Sequence, residues 1–428
     1  MKQTRFHYGW IIVGVSFVML ALSGGVWYSF SVFFVAILKE FGWSRSVGAG
    51  AFSLFLIVQS LAGAVVGNMV DRVGPRRVVF LGSFLLATGL TLCSYIQIWW
   101  QFYLFYGVIA AMGVAATGWI TNTTMVQHWF KEKRGLAIGI ICAGIGVGIF
   151  ACVPAAQYLI NRVGWRVTYR VMAFFIPLPI AFMAILFLKR RSPPRLPDPP
   201  SREADVLRPD VIDPPMIDRE GASHSWTVRQ AMRTRPFQFL ALAVFSGSFA
   251  TQAILAHQVA FFTDQGLQNL LASYIVGIVG LVSIGAKILW GILSDRIGRE
   301  VTYTLGIVCG VGGMTLLIVF HILPSPWVPY SYAFLFGMGY AVTTTLPPVV
   351  TADFFEGRSF GSIFGTMMIL NGIGGASGAW LAGFAYDRMN TYLFVFLLTI
   401  ACYLFACLNI WGAAPRRIRG DPGKRRRE

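Results

Sequence analysis

Charge is scarce in this chain. Asp, Glu, Lys and Arg together make up 12% of its 428 residues, where an ordinary soluble domain carries about 25%. Acid is scarcer than base, with 18 Asp and Glu against 35 Lys and Arg. The six cysteines (Cys93, Cys142, Cys152, Cys309, Cys402, Cys407) form no CxxC pair and have no His at metal-ligand spacing. They read as small core residues, so neither a disulfide scaffold nor a metal or cofactor site is expected. No Walker loop is present, which argues against a pump driven by ATP. Low charge combined with long apolar runs also excludes a soluble enzyme and a disordered chain.

What the chain does have is apolar length. Hydrophobic residues make up 56% of it, and the charges cluster so that stretches of roughly 20 residues pass without one. At 1.5 Å per residue such stretches cross the ~30 Å hydrocarbon core of a bilayer. Twelve membrane-spanning helices are expected, at 10–36, 47–69, 78–98, 101–126, 136–160, 167–188, 235–262, 269–293, 302–322, 327–351, 361–386 and 391–412. The fold class is then an all-α polytopic membrane protein. The first apolar run is too long for the core of a signal peptide and lacks a small-residue cleavage site, so it is expected to stay as a span.

The formal charge of +17 would suggest nucleic acid in a soluble protein, but its distribution points elsewhere. Placing the loops on alternate sides puts 28 of the 35 basic residues on the side holding both termini, six on the other, and Lys287 inside a span. Basic loops stay cytoplasmic during insertion, so both termini are expected in the cytoplasm of a cell-membrane protein. The lipid bilayer, not nucleic acid, is the expected partner of this charge.

The segment RSPPRLPDPPSREADVLRPDVIDPP holds eight prolines and no apolar period, which reads as a linker. It divides the chain into an N-terminal bundle (1–188), a cytoplasmic linker with a short surface helix (189–234), a C-terminal bundle (235–412) and a basic tail (413–428). The two bundles repeat. Gly67-x-x-x-Asp71-Arg72-x-Gly74 recurs as Gly291-x-x-x-Asp295-Arg296-x-Gly298, displaced by 291 − 67 = 224 positions. Phe130 and Phe354, Arg134 and Arg358, and Gly148 and Gly372 share that offset. Two related six-span halves place a binding site at their interface near the midplane.

The repeated loops GNMVDRVGPRR and GILSDRIGR join neighbouring spans. Their glycines permit close helix contact, and their aspartates can bond arginines or cap helices. Gly67, Asp71, Arg72, Gly74 and Arg76 with Gly291, Asp295, Arg296, Gly298 and Arg299, and with Arg134 and Arg358, are expected to form a conformational latch. At this pattern the sequence resembles the major facilitator superfamily, whose signature loop it matches. Within that superfamily it resembles the monocarboxylate transporter and oxalate–formate antiporter group. YGW at 8–10, HWFKEKRGLAIGIICAGIGVG at 128–148, and GYAVTTTLPPVVTADFF through GIGGASGAWLAGFAYD at 339–387 carry the narrower likeness. The resemblance implies two pseudo-symmetric six-helix bundles that alternate access to a central site, in a protein that works as a monomer.

Lys287 is the informative charge. It stands eight residues before Asp295, about 12 Å up a helix. A lysine near the bilayer centre costs at least ~2.5–3.5 kcal/mol to insert, so it is expected to face a cavity and serve function. No acid lies inside any expected span, so the natural counter-charge is a carboxylate substrate. In the resembling group this position, before W-G-x-x-S-D, usually holds an arginine that binds the substrate carboxylate. Lysine keeps the charge and loses the two-pronged geometry. Some members of the group place a proton-coupling acid one turn earlier, where this chain has Ser283.

Tyr28, Asn122, Tyr340 and His257 are the other expected substrate-site residues, with Gln59, Trp119, Gln252 and Asn371 behind them. His257 and Lys287 are the proton-coupling candidates. For each, helix-to-helix bonding is the competing role. Pro347-Pro348 is expected to break span ten. The reading is a secondary carrier, not an enzyme, of a small organic anion such as a monocarboxylate, working by proton symport or by anion exchange. The rival is a proton-coupled exporter of drugs or other solutes, which wants an acid within the spans. A membrane sensor or hydrolase lacks a signalling domain or a nucleophile partnered with His257.

Overall fold

The structure, a computed structural model, describes residues 8–129, 134–188, 226–355 and 360–413, with the side chains of residues 64, 71, 127, 128, 134–136 and 360 outside the description. Among the described residues every regular element is helical. The first three helices are α1 (Tyr8–Phe41), α2 (Arg45–Val73) and α3 (Pro75–Cys93). The fourth, α4, covers residues 99–129 in consecutive pieces and includes a π-helical stretch, Tyr103–Ala110. The long helical run Arg134–Phe175 turns at Gly164, whose φ is 79°. It therefore holds α5 (134–163) and the start of α6 (165–175), which resumes as Pro177–Phe187. A short helix, Val228–Met232, follows, capped by the Thr227 hydroxyl. The second half contains α7 (Arg235–Asp264), α8 (Asn269–Ile297), α9 (Arg299–Ile322), α10 (Val328–Phe354), α11 (Phe360–Met389) and α12 (Leu393–Ala413).

Among the described residues, ten stretches are long and apolar enough to cross a membrane. One of them, Ala137–Phe187, contains both α5 and α6, and the glycine-rich α11 completes the twelve. The turns at the two signature loops depend on glycine. Gly74 and Gly298 have φ of 90° and 98°, a left-handed conformation that a side chain disfavours. Pro75 then starts α3, where its fixed φ and missing N–H suit a first helical position.

Small residues set the packing. A Cβ on Gly148 would lie 2.1 Å from the Ala21 carbonyl oxygen, and one on Gly378 would lie 2.2 Å from that of Phe249. These contacts hold α5 to α1 and α11 to α7. Two further seams join the halves. Along one, Gly277, Gly280 and Gly146 bring α8 against α5. Along the other, the Ser53 hydroxyl of α2 donates to the Ala376 carbonyl of α11 at 2.7 Å, and Gly372 leaves room for Ser60. The seams share the sequence offset: Leu56 and Ser60 correspond to Gly280 and Ile284, 224 positions on.

Both seams occupy the parts of the helices farther from the signature loops. Towards the signature loops, a Cβ on Gly139, Gly361 or Gly365 would meet nothing within 4 Å. The close contacts between the halves thus gather at one end and thin out towards the other, where α1 starts and α12 stops and where Trp119 of α4 still meets Phe364 of α11. One expectation fails here. The helix α10 is not broken at Pro347 and Pro348 but runs through both to Phe354. Thr343, Thr344 and Thr345 donate to carbonyls of residues 340 and 341 in the turn before, and hydroxyls of this kind help a membrane helix to pass through proline.

Candidate functional site

Lys287 lies on α8, four residues from Ser283, which is midway between Asn269 and Ile297. That is about 6 Å from the helix midpoint. It sits just beyond the α5–α8 seam, whose last close contact sets Ile284 against Gly146, so the cation occupies the place where the halves begin to part. The residue is 8% exposed. Among the described residues no carboxylate lies within 4 Å of its Nζ. The ammonium rests over the ring of Tyr340, 5.2 Å from the centroid, a cation–π placement that partly replaces lost hydration. The Ser283 hydroxyl bonds back to the Gly280 carbonyl at 2.7 Å.

Tyr340 of α10 reaches across to the other half. Its hydroxyl is 2.6 Å from that of Tyr28 on α1, and the rings meet edge to face. Trp27 stacks on Tyr28. The structure therefore brings Lys287, Tyr340 and Tyr28 into one chain of contacts spanning both bundles. Cys142 of α5 lies within the electrostatic reach of Lys287. The indole N–H of Trp119 faces that thiol without a well-formed hydrogen bond, and the Trp119 ring meets Phe364 of the opposite half.

Asn122 is fully buried on α4. Its Nδ2 donates to the carbonyls of Thr117 and Gly118 at 2.8 and 2.7 Å, where α4 is interrupted, while its Oδ1 has no partner among the described residues. His257 shares no described contact with Lys287. Its Nε2 is 2.9 Å from the Ala379 carbonyl and its Nδ1 is 3.0 Å from the Tyr392 hydroxyl, with the ring against Phe34. A carbonyl only accepts, so Nε2 carries the proton and Nδ1 is left to accept from Tyr392 in the neutral ring. Of the secondary candidates, Gln252 has a buried Oε1 without a partner among the described residues. The Asn371 carbonyl accepts from Ser248.

Only part of the expected latch can be placed. Arg299 is 5% exposed and donates to Ser294 (2.6 Å), Asp295 (2.8 Å) and Asp353 (3.0 Å). It ties α8 and α9 to the end of α10. Gly67 of α2 lies beside Ile120 of α4, and Gly291 faces open space. Arg72, Arg76 and Arg296 are exposed. The side chains of Asp71 and Arg134, and all of Arg358, lie outside the described residues. The sequence reading missed Asp353, an acid just before Phe354. Its counterpart 224 positions earlier is Trp129 and that of Arg299 is Pro75, so repeat matching could not have found the pair.

The family profile of the Major Facilitator Superfamily matches residues 16–379. The chain belongs to that superfamily. Among similar proteins, monocarboxylate transporter 12-B of Danio rerio is 26% identical over 426 residues, covering 95% of this chain and 87% of its own length. The oxalate:formate antiporter of Oxalobacter formigenes is 23% identical over 378 residues, covering 87% and 85%. Among solved structures, the inward-facing, unoccupied form of a bacterial homologue of the human lysosomal transporter Spinster aligns with a TM-score of 0.71 at 15% identity, covering 97% of this chain and 99% of its own. That likeness concerns the fold. The chain is a multi-pass integral membrane protein of a transporter superfamily, and the relatives named here are transporters, not enzymes.

Proposed function

We propose that this transporter carries a small organic anion, a monocarboxylate first among them, by alternating access, as proton symport or anion exchange. The supporting observation is Lys287, a buried cation near mid-helix with no carboxylate within 4 Å among the described residues. An uncompensated charge at that depth is costly unless a ligand supplies the counter-charge. The substrate carboxylate would meet the Lys287 ammonium, with the Tyr28 and Tyr340 hydroxyls as neighbouring donors and Asn122 Oδ1 as an acceptor. His257 enters as a proton-coupling candidate whose effect would pass through Tyr392, because both of its ring nitrogens are engaged. The names of the monocarboxylate and oxalate:formate relatives agree with this class of cargo.

The charge asymmetry of the loops supports cytoplasmic termini in a cell membrane, with units 1–188 and 235–412 joined by the 189–234 linker and followed by the 413–428 tail. The open end then faces the cytoplasm and the sealed end faces outward. A monomer suffices, since the site is built from one chain. Arg299 with Asp295 and Asp353 is the part of the latch that the described side chains support.

The experiment is uptake of labelled carboxylates into proteoliposomes, with wild type beside Lys287→Ala and Lys287→Arg, each with and without a pH gradient. Transport of one short acid, lost in Lys287→Ala, is the expected result, and gradient dependence separates symport from exchange. Normal transport by Lys287→Ala would remove the lysine from the site. Failure of every carboxylate would redirect the search to neutral or cationic solutes.

A further inference from the structure

The sealed end of the molecule is held in two different ways. On the α5–α8 side the halves close by packing alone, through Gly146, Gly277 and Gly280. On the opposite side, where α2 meets α7 and α11, one arginine adds directional bonds to the Ser53–Ala376 and Gly372–Ser60 contacts. Arg45 begins α2 in the N-terminal half. Its Nη2 lies 2.7 Å from Asp264 Oδ1, at the end of α7. Its other guanidinium nitrogen donates to the hydroxyl of Tyr392, just before α12. The guanidinium carbon lies over the ring of Tyr386 of α11, 3.6 Å from its centroid. The backbone N–H groups of Arg45 and Ser46 both donate to the Asp387 carboxylate at 2.8 Å.

Every one of these partners belongs to the C-terminal half. The first turn of α2 is therefore capped by an acid from the opposite bundle, an arrangement that uses both hydrogen bonding and the helix dipole. Behind the arginine the bonds continue in one sense. Arg45 donates to Tyr392, Tyr392 donates to His257 Nδ1, and His257 Nε2–H donates to the Ala379 carbonyl. The guanidinium can only donate and the Ala379 carbonyl can only accept, and with a neutral His257 ring the two ends together fix the direction of the series.

The pseudo-symmetry shows that this arrangement occurs once. Position 40, the counterpart of Asp264, is also an acid, but Glu40 pairs with Trp165 and Arg166 inside its own half. Position 269, the counterpart of Arg45, is Asn269, which bonds Thr263 of its own half. The acids at these equivalent positions both pair with arginines of the N-terminal half, Glu40 with Arg166 and Asp264 with Arg45, and of the two pairs only the second crosses the interface.

We propose that Arg45 is the bolt of the outer gate: its bonds to Asp264, Asp387 and Tyr392 hold the two halves together at the sealed end, and alternation of the site around Lys287 requires their release. The arrangement deepens the alternating-access reading above by naming what limits opening on that side. Packing along the α5–α8 seam lets the halves rock, while the directional bonds at Arg45 set how often they part. Arg suits the position because it can serve an aromatic face, a carboxylate and a hydroxyl at once. Of the side-chain bonds, lysine with its one point of charge retains only the Asp264 pair, while the backbone bonds to Asp387 stay in place.

The test measures the distance across the sealed end without substrate. Spin labels are placed at the exposed positions Lys39 and Gln268, one in each half, in the full chain with its six cysteines replaced, reconstituted in nanodiscs. The starting protein is expected to show mainly the short, closed distance. Arg45→Ala and Asp264→Asn should each raise the separated population about tenfold, with Arg45→Lys in between. Glu40→Gln breaks the equivalent pair inside one half and should leave the distribution unchanged. The swapped pair Arg45→Asp with Asp264→Arg should recover part of the closed population.

Distributions that stay closed in both Arg45→Ala and Asp264→Asn would overturn the proposal. So would an equal opening in Glu40→Gln, which would mark a general loosening. The measurement needs no substrate, so it separates the gate from the cargo. A shift in distance combined with failure of every carboxylate in the uptake assay would keep the bolt and discard the anion reading.

Discussion

At the scale of single residues, the proposed site is a small set of polar groups on an apolar frame. Lys287 supplies the charge and Tyr340 its resting surface, and the Tyr28 hydroxyl links that pair to the other bundle. A hydrogen bond to a charged group contributes ~1.5–3 kcal/mol. Lys287→Ala is accordingly expected to lower carboxylate uptake by up to about two orders of magnitude, and an uptake assay at fixed substrate checks this. The Tyr28–Tyr340 bond is neutral, worth about 1 kcal/mol. Tyr28→Phe and Tyr340→Phe should each weaken substrate binding several-fold, and the double variant little more than either alone. A double-mutant cycle on binding constants reads this directly, and additive losses would show that the two hydroxyls act separately. Lys287 was legible in the sequence because a lone cation in an apolar run is costly enough to need a reason. The Arg45 cluster was not, because its partners lie 219 to 347 positions away and each looks like an ordinary charge at a helix end.

At the scale of elements, glycine decides which helices touch and how closely. Gly148 and Gly139 lie on one helix and should respond in opposite ways. A Cβ at Gly148 would fall 2.1 Å from the Ala21 carbonyl, whereas at Gly139 it meets nothing within 4 Å. Overpacking costs ~1–3 kcal/mol, often with backbone movement. Gly148→Val should therefore lower the melting temperature of the detergent-solubilised protein and its folded yield. Gly139→Ala should hold or slightly raise them, since alanine is the better helix former. The twelve spans were readable from the length of the apolar runs, but their ends were not. The helix α1 runs from Tyr8 to Phe41 against an expected 10–36, because helices continue past the hydrocarbon until a cap or turn stops them. The break between α5 and α6 is a conformation of Gly164. The π-helical stretch of α4 leaves no periodic mark in a segment apolar on every side.

At the scale of the whole molecule, the two halves repeat in backbone and differ in charge. The group of the buried Arg299 with Asp295 and Asp353 belongs to the C-terminal half alone, since the N-terminal counterparts of Arg299 and Asp353 are Pro75 and Trp129. Asp353→Asn and Asp295→Asn are expected to slow turnover several-fold while leaving the substrate dissociation constant nearly unchanged. Uptake rates compared with equilibrium binding on the same preparations check this, and equal losses in both would assign the group to the site instead. Lys287 has a glycine, Gly63, as its own counterpart, so the central cation also belongs to one half. That asymmetry has an electrical consequence. If the carrier works by anion exchange at Lys287, the centre loaded with a monoanion would be neutral and the empty one would bear one positive charge, so the unloaded carrier would be the form that responds to membrane voltage. One elementary charge crossing the full field is worth about 2.3 kcal/mol per 100 mV. A potential that is negative inside would draw the empty centre towards the cytoplasm and leave the loaded crossing almost untouched. Substrate-free transporter on a capacitive membrane should accordingly give transient currents, and saturating carboxylate or Lys287→Ala should suppress them.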